Sequence, residues 1–297
     1  MGILLDKLAE KKLLVSDGAW GTMLQANGLE PGDCPEEWNI SHPEIVRSIA
    51  SEYSKAGADL VLTNTFGGSR VKLEKFGFGD KVKEFNEAGG RLSLEGVAGT
   101  GTIVAGSIGP TGEFLEPLGE MTEQQMEDIF AEQISAIVSA GVRVICIETM
   151  TAIEEAVCAI KAAKQVDSEL DIITTMTFDP TPNGFRTMMG VDCERAAKAL
   201  TQAGADVIGS NCGNGIEQMI PITAELRKFS DKPILIHSNA GVPELIDGKT
   251  VFRQSPEDMA AKVKELVEAG ASIIGGCCGT RPEHIRAIRA EIDKLLS

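Results

Sequence analysis

Four times along the chain a stretch of helical character stops on an Ala-Gly pair and gives way at once to an apolar run. Ala56-Gly57 precedes residues 58–63, Ala140-Gly141 precedes 142–147, Ala203-Gly204 precedes 205–208, and Ala269-Gly270 precedes 271–274. Glycine takes the left-handed helix cap without a β-carbon penalty, so each phrase predicts a helix end followed directly by a buried parallel strand. Further apolar runs at 13–18, 102–106, 171–177 and 233–237 predict strands, and residues 43–56, 123–137 and 192–203 predict helices. The count is about eight strands, each followed by a helical stretch, which predicts a single (β/α)8 TIM-type barrel occupying residues 1–297 as one domain. A doubly wound open sheet is the alternative, but no Gly-x-Gly-x-x-Gly phrase follows the first strand.

A barrel gathers its chemistry at the C-terminal ends of its strands. The polar residues that would meet there are Asp17, Asn64, Thr65, Ser107, Glu148, Thr149, Thr177, Asn211, Cys212, Asn239, Cys277 and Cys278. They are scattered in sequence and converge only if the sheet closes.

The length of 297 residues suits one such barrel, and 43% hydrophobic with 24% charged residues is ordinary for a globular protein with a sizeable core. A net charge of -16, from 44 acids against 28 bases, argues against a nucleic-acid partner, which needs a basic face. The N-terminus lacks the features of a signal peptide and no run is long enough to span a bilayer, so a cytoplasmic protein without a membrane partner is expected. Seven cysteines without the tight spacing of a secreted framework fit a reducing compartment. Cys34, Cys146, Cys158 and Cys193 are expected as unpaired bystanders.

The other three cysteines carry the candidate chemistry. Ser210-Asn211-Cys212-Gly213 and Gly275-Gly276-Cys277-Cys278-Gly279-Thr280 each follow a strand-type run, so both sets of thiols sit where a strand gives way to a loop. Neighbouring cysteines are poor partners for an ordinary disulfide, yet at a glycine-rich strand end both can turn toward one ion. Three cysteine ligands with a fourth position free are the pattern of a catalytic zinc, one that activates a substrate thiol. A redox pair, or a zinc that only holds the fold, is the competing reading. Glu148, at the end of a buried strand with no base beside it in sequence, needs either a ligand's ammonium or an arginine from elsewhere. Asp17-Gly18 reads as a tight turn or as a backbone cradle for a carboxylate or phosphate. His237 is expected as a satisfied strand histidine and His284, at a helix start, as exposed.

Five phrases, Asp17-Gly18-Ala19-Trp20-Gly21-Thr22, Thr63-Asn64-Thr65-Phe66, Gly106-Ser107-Ile108-Gly109-Pro110, Ser210-Asn211-Cys212 and Gly275 through Thr280, resemble the motifs of the homocysteine S-methyltransferase family, in the family's order and over nearly the whole chain. The resemblance is greatest to the N-terminal homocysteine-binding module of cobalamin-dependent methionine synthase. It implies zinc held by Cys212, Cys277 and Cys278, with homocysteine sulfur as the fourth ligand and Asn239 in that place when substrate is absent. It implies that Asp17, Gly18, Thr65 and Glu148 hold the amino acid's ammonium and carboxylate. It further implies methyl transfer to a zinc thiolate, giving methionine, with methylcobalamin supplied by a partner protein or domain. S-methylmethionine or a betaine as donor, or another thiol as acceptor, are the alternatives. Trp20 and Gly67-Gly68-Ser69 depart from the family's usual residues beside the mouth. The folate-binding, cobalamin-binding and activation modules of methionine synthase have no counterpart in these 297 residues.

Overall fold

A computed structural model describes residues 2–246 and 249–297. Eight parallel strands form one sheet: β1 (Leu14–Val15), β2 (Leu60–Leu62), β3 (Ile103–Ile108), β4 (Val144–Met150), β5 (Asp171–Met176), β6 (Val207–Gly215), β7 (Ile234–Asn239) and β8 (Ile273–Gly276). Their hydrogen-bonded order is β1-β8-β7-β6-β5-β4-β3-β2, and a parallel bridge between Ser16 and Leu60 joins the two ends. The result is the TIM-type barrel expected from the sequence, with helices packed around it. The four Ala-Gly phrases do what their composition dictates: Gly57, Gly141, Gly204 and Gly270 have φ of 102°, 101°, 105° and 113°, and a strand of the barrel follows each.

The barrel interior is a packed core. Leu14, Leu60, Leu62, Ala105, Val144, Cys146, Ile173, Val207, Leu235 and Ile273 fill it, and Leu4 and Leu8 of the first helix (Ile3–Lys11) join them from the N-terminal end. Leu4 N–H donates to Asp171 Oδ2 at 2.8 Å, fixing that helix against the start of β5. A larger apolar layer fills the space between the strands and the surrounding helices. Cys146 and Cys158 lie in these layers and Cys34 and Cys193 are also buried, all four unpaired as expected.

Two features went beyond the expected pattern. Hairpins pair Asp179–Thr181 with Gly184–Arg186 after β5, and Glu244–Ile246 with Lys249–Val251 after β7. In addition β6 does not end before its cysteine but runs on to Gly215, with a register shift against β7 between Asn211 and Gly215. Cys212 thus sits within a bulged strand end rather than in the loop beyond it. Among the described residues no helix is long and apolar enough to cross a membrane.

The β1–β2 seam, where β1 has only two residues, is closed largely by two aspartates. Asp59 N–H donates to the Val15 carbonyl at 2.7 Å, and Val15 N–H donates to Asp59 Oδ2 at 3.0 Å. Lys11 at 2.7 Å and Arg289 at 2.9 Å, from the first and last helices, pair with the same buried carboxylate. Above it, Leu62 N–H donates to Asp17 Oδ2 at 2.8 Å. Removing the buried carboxylate leaves the largely buried Arg289 with only the exposed Asp293 and takes the acceptor from Val15 N–H, so Asp59→Ala is expected to cost about 3 kcal/mol in urea unfolding. A loss below about 1 kcal/mol, the range of an exposed pair, would show that the seam does not need it.

Candidate functional site

Every residue singled out for the site lies at the C-terminal end of the barrel, and the strands divide the work. Cys212, Asn239 and the Cys277-Cys278 pair come from β6, β7 and β8 or the turn after it, three neighbours in the sheet. The three Sγ atoms lie within 4.8 Å of one another, with Cys212 and Cys278 at 3.9 Å. The vicinal pair is turned inward by its frame. Thr280 Oγ1 donates to the Cys277 carbonyl at 2.7 Å, Cys277 N–H donates to the Ser238 carbonyl at 2.7 Å, and Gly279 N–H donates to Thr22 Oγ1 at 3.0 Å. A β-carbon on Gly276 would lie 2.2 Å from Thr280 Oγ1, so the close turn of this loop needs glycine there. Cys212 holds φ of 60° and Thr149, at the tip of β4, φ of 63°. Non-glycine residues in the left-handed region carry strain that surrounding contacts must hold in place, and two of them flank one opening.

The thiols share charge unequally. Hydrogen bonds from Cys277 and then Cys278 pull the Cys212 thiol down to about 3, whereas accepting that role pushes Cys278 up to about 12 and Cys277 well above its ordinary value. The hydrogen bonds among the thiols thus favour negative charge on Cys212 over its two neighbours. Three thiolates need a cation. Tetrahedral zinc with bonds near 2.3 Å sets its sulfurs about 3.8 Å apart, close to the Cys212–Cys278 separation. Asn239 donates to Cys212, yet its Oδ1 is buried with no hydrogen-bond partner among the described residues. Three thiols at this spacing fit zinc, and the partnerless amide oxygen of Asn239, whose other end meets Cys212, is a candidate fourth donor.

Across the opening lie two carboxylates. Asp17 is fully buried: Oδ2 accepts from Leu62 N–H and from Trp20 Nε1 at 2.9 Å, and Oδ1 from the Ser16 hydroxyl at 3.3 Å. Glu148 is buried too: Oε1 accepts from the Ser107 hydroxyl at 2.5 Å and Oε2 from Asn211 Nδ2 at 3.4 Å. Burial pushes each up to about 7, and the Asp17 charge contributes to the rise at Glu148. Among the described residues no lysine or arginine pairs with either, so the arginine alternative for Glu148 falls away. Two buried carboxyls near enough for the charge of one to raise the other, with no base paired to either, are candidates for a cationic group.

Thr65 is wholly buried and ties the tips of β2 and β3: its hydroxyl donates to the Ser107 carbonyl at 2.8 Å and lies 2.5 Å from Thr63 Oγ1. Its hydrogen is used, so it offers a ligand only a lone pair. The Gly18 N–H has no acceptor among the described residues, and a β-carbon there would lie 2.6 Å from Thr280 Oγ1.

Asn211 is the residue whose part the sequence does not reveal. Its Oδ1 accepts from Thr149 N–H at 2.8 Å and Thr175 Oγ1 at 2.7 Å, while Nδ2 donates to Thr149 Oγ1 at 2.7 Å as well as to Glu148. It holds the strained tip of β4 while sitting next to Cys212 in the chain. Its position before the cysteine is the only signal the sequence carries. Both histidine expectations need correction. His237 has a buried Nε2 without a partner, because β7 points it into the barrel, where burial holds its imidazole down to about 4. His284 is buried rather than exposed, since its Nδ1 accepts from Arg281 N–H at 3.2 Å and its Nε2 lies 3.1 Å from the Gln254 carbonyl. Neither histidine belongs to the thiol cluster.

The sequence profile of homocysteine S-methyltransferase matches residues 14–292. The chain belongs to the homocysteine S-methyltransferase family. It is 30% identical to methionine synthase of Mycobacterium leprae over 97% of its own length, and 29% identical to that of Mycobacterium tuberculosis over 98%. It spans about a quarter of the length of these relatives, 25% of each. Among solved structures, the metallated form of the Escherichia coli homocysteine methyltransferase MmuM superposes with a TM-score of 0.82 at 21% identity, covering 97% of this chain and 99% of that one. The oxidised form gives 0.80. At that identity the likeness speaks for the shared barrel.

The carboxylates of this family member make its stability depend on pH. The folded protein keeps their protons to about pH 7, whereas the unfolded chain releases them near the ordinary 3.8 and 4.5. Their contribution is therefore complete below about pH 4 and is lost as pH rises through 7. Without substrate, wild-type stability is expected to fall by a few kcal/mol across this window relative to Glu148→Gln, measured by urea unfolding at several pH values. Parallel pH profiles for the two proteins would contradict the raised Glu148.

Proposed function

We propose that the chain binds homocysteine in this mouth and methylates its sulfur, with zinc held by Cys212, Cys277 and Cys278 and with Asn239 Oδ1 as fourth donor when substrate is away. The observation that carries the reading is the pairing of a three-thiol cluster and its partnerless amide oxygen with two base-free buried carboxylates. One half suits a metal and a thiol; the other suits an ammonium. Bound there, zinc supplies the acidity that strips the proton from the substrate thiol and keeps the sulfur nucleophilic at neutral pH.

The chain's own residues do the rest. Asp17 and Glu148 bind the ammonium, the Gly18 N–H receives the carboxylate, and Thr65 offers its remaining lone pair. Asn211 and Ser107 keep Glu148 aimed, and the apolar barrel interior below excludes water from the sulfur. In the transfer the new carbon–sulfur bond forms as the donor's bond to the methyl carbon breaks, the electron pair leaving with the donor and the thiol proton passing to solvent.

A donor carried on a protein, a methyl-corrinoid domain, is favoured over a free small molecule by the rim. Phe66, Phe114, Leu118, Met188, Val242 and Leu245 all lie on segments that follow barrel strands, Leu245 within the hairpin after β7, and Met188, Leu245 and Leu118 are 83%, 78% and 75% exposed. Exposed apolar side chains on several of the segments that leave the C-terminal ends of the strands suit an incoming protein surface. The relatives named methionine synthase are also about four times as long as this chain, room for such a domain.

Zinc-loaded protein mixed with homocysteine and methylcobalamin is expected to lose the methyl–cobalt absorption and form methionine. Homocysteine should release one proton on binding, in the zinc-loaded protein alone. Cys277→Ala should lose turnover by at least a hundredfold while its melting temperature stays within a few degrees, because the barrel core lies below the cluster. Turnover with S-methylmethionine but none with methylcobalamin would move the donor to a small molecule. Global unfolding of the variant would make the cluster structural.

A further inference from the structure

Trp20 opens the short helix Trp20–Ala26 and is half-buried, its ring packing against both the barrel interior and the outer apolar layer. Its backbone is braced on the loop that carries the vicinal cysteines. The preceding Ala19 N–H donates to Thr280 Oγ1 at 3.1 Å, and the Ala19 carbonyl accepts from the Tyr53 hydroxyl at 3.0 Å. From this base the indole Nε1 reaches Asp17 Oδ2 at 2.9 Å, where Leu62 N–H already donates at 2.8 Å. A carboxylate oxygen has two lone pairs, and here both are taken. Oδ1 accepts from the Ser16 hydroxyl at 3.3 Å, and the Asp17 backbone N–H also favours the charged carboxylate. Turning the carboxylate to present its other oxygen would forfeit two N–H bonds in a site that water does not reach.

We propose that Trp20 is a positioning residue for the substrate's ammonium: its indole N–H fills and fixes Asp17 Oδ2, so that Oδ1 alone is left to receive the amino group. This rests on the homocysteine reading above and adds to it the residue that decides how the amino group is held. Without the indole, Leu62 N–H would be the one donor left on Oδ2, and the carboxylate plane would be held besides only by the long Ser16 contact and the Asp17 backbone N–H. Two donors on one oxygen, from a strand and from a braced helix, set its orientation. The indole also opposes the burial that favours the neutral acid, and so helps keep Asp17 charged when an ammonium arrives.

The test compares homocysteine with 4-mercaptobutanoate, which lacks only the amino group, on zinc-loaded wild type and Trp20→Phe. Phenylalanine keeps an aromatic ring and removes the N–H. The affinity of Trp20→Phe for homocysteine is expected to fall roughly tenfold, the effect of losing one hydrogen bond to a carboxylate, with its affinity for 4-mercaptobutanoate within twofold of wild type. The loss should appear in KM and leave kcat within a fewfold. An unchanged homocysteine affinity, or an equal loss for both thiols, overturns the proposal, the second outcome marking a merely structural ring.

Should Trp20→Phe fail to fold, the single-tryptophan protein Trp38→Phe serves, since Trp20 and Trp38 are the two tryptophans of the chain. Homocysteine should then shift the Trp20 emission and 4-mercaptobutanoate should not. Equal shifts, or none, overturn the proposal. A wild-type protein that binds no homocysteine would overturn the homocysteine reading and this inference together, whereas normal binding with an indifferent Trp20→Phe would overturn this inference alone.

Discussion

Closure of the sheet between its shortest strands is the constraint on which the rest of this structure depends. β1 has two residues, too few for backbone bonding alone to join it to β2, and aspartate side chains supply part of the ladder. Asp59 does so at the N-terminal end with two cations beside it, and Asp17 does so at the C-terminal end with none. The same device therefore has two outcomes. Below, the charge is neutralised and the seam is structural; above, no lysine or arginine among the described residues pairs with the carboxyl. Once the seam is shut, the tips of β2, β3 and β4 face those of β8 and β1 across one opening, and Thr65, Ser107 and Glu148 come round to Asp17.

The mouth is built on shared residues more than on dedicated ones. Asp17 closes a seam and is a candidate ligand contact. Asn211 holds the left-handed tip of β4 and steadies Glu148 while adjoining Cys212. Thr280 braces both the cysteine turn and the start of the Trp20 helix. A displacement at any of these would be felt by the thiols and the carboxylates together, so the two halves of the site are mechanically joined through the strand tips. Burial raises both carboxyls, so that a cation nearby would favour their charged forms, while hydrogen bonds among the thiols draw the charge of that cluster toward Cys212.

Much of this was legible in the sequence, for identifiable reasons. The Ala-Gly phrases mark helix ends because only glycine suits the positive φ that the structure shows at all four. The pair Cys277-Cys278 is conspicuous because thiols framed by glycines fill a core badly. Other parts were not legible, because they depend on contacts between segments far apart in the chain. Nothing local tells that β6 bulges after Asn211, which decides where the Cys212 sulfur goes. His237 looked like a residue with a partner because strand histidines commonly find one, but its strand turns it into the barrel axis. His284 looked exposed at a helix start, and is buried by the Gln254 carbonyl, 30 positions away. The indole bond of Trp20 to Asp17 spans three residues, yet its meaning depends on Leu62 having taken the other lone pair.

Sulfurs from two separate strand ends are proposed to hold one metal and leave a position for an incoming thiol. X-ray absorption at the zinc edge tests it most directly. Substrate-free protein should show three sulfur neighbours near 2.3 Å and one oxygen, and addition of homocysteine should change this to four sulfurs. A shell that does not change on addition of homocysteine, or one already made of four sulfurs without it, would contradict the account.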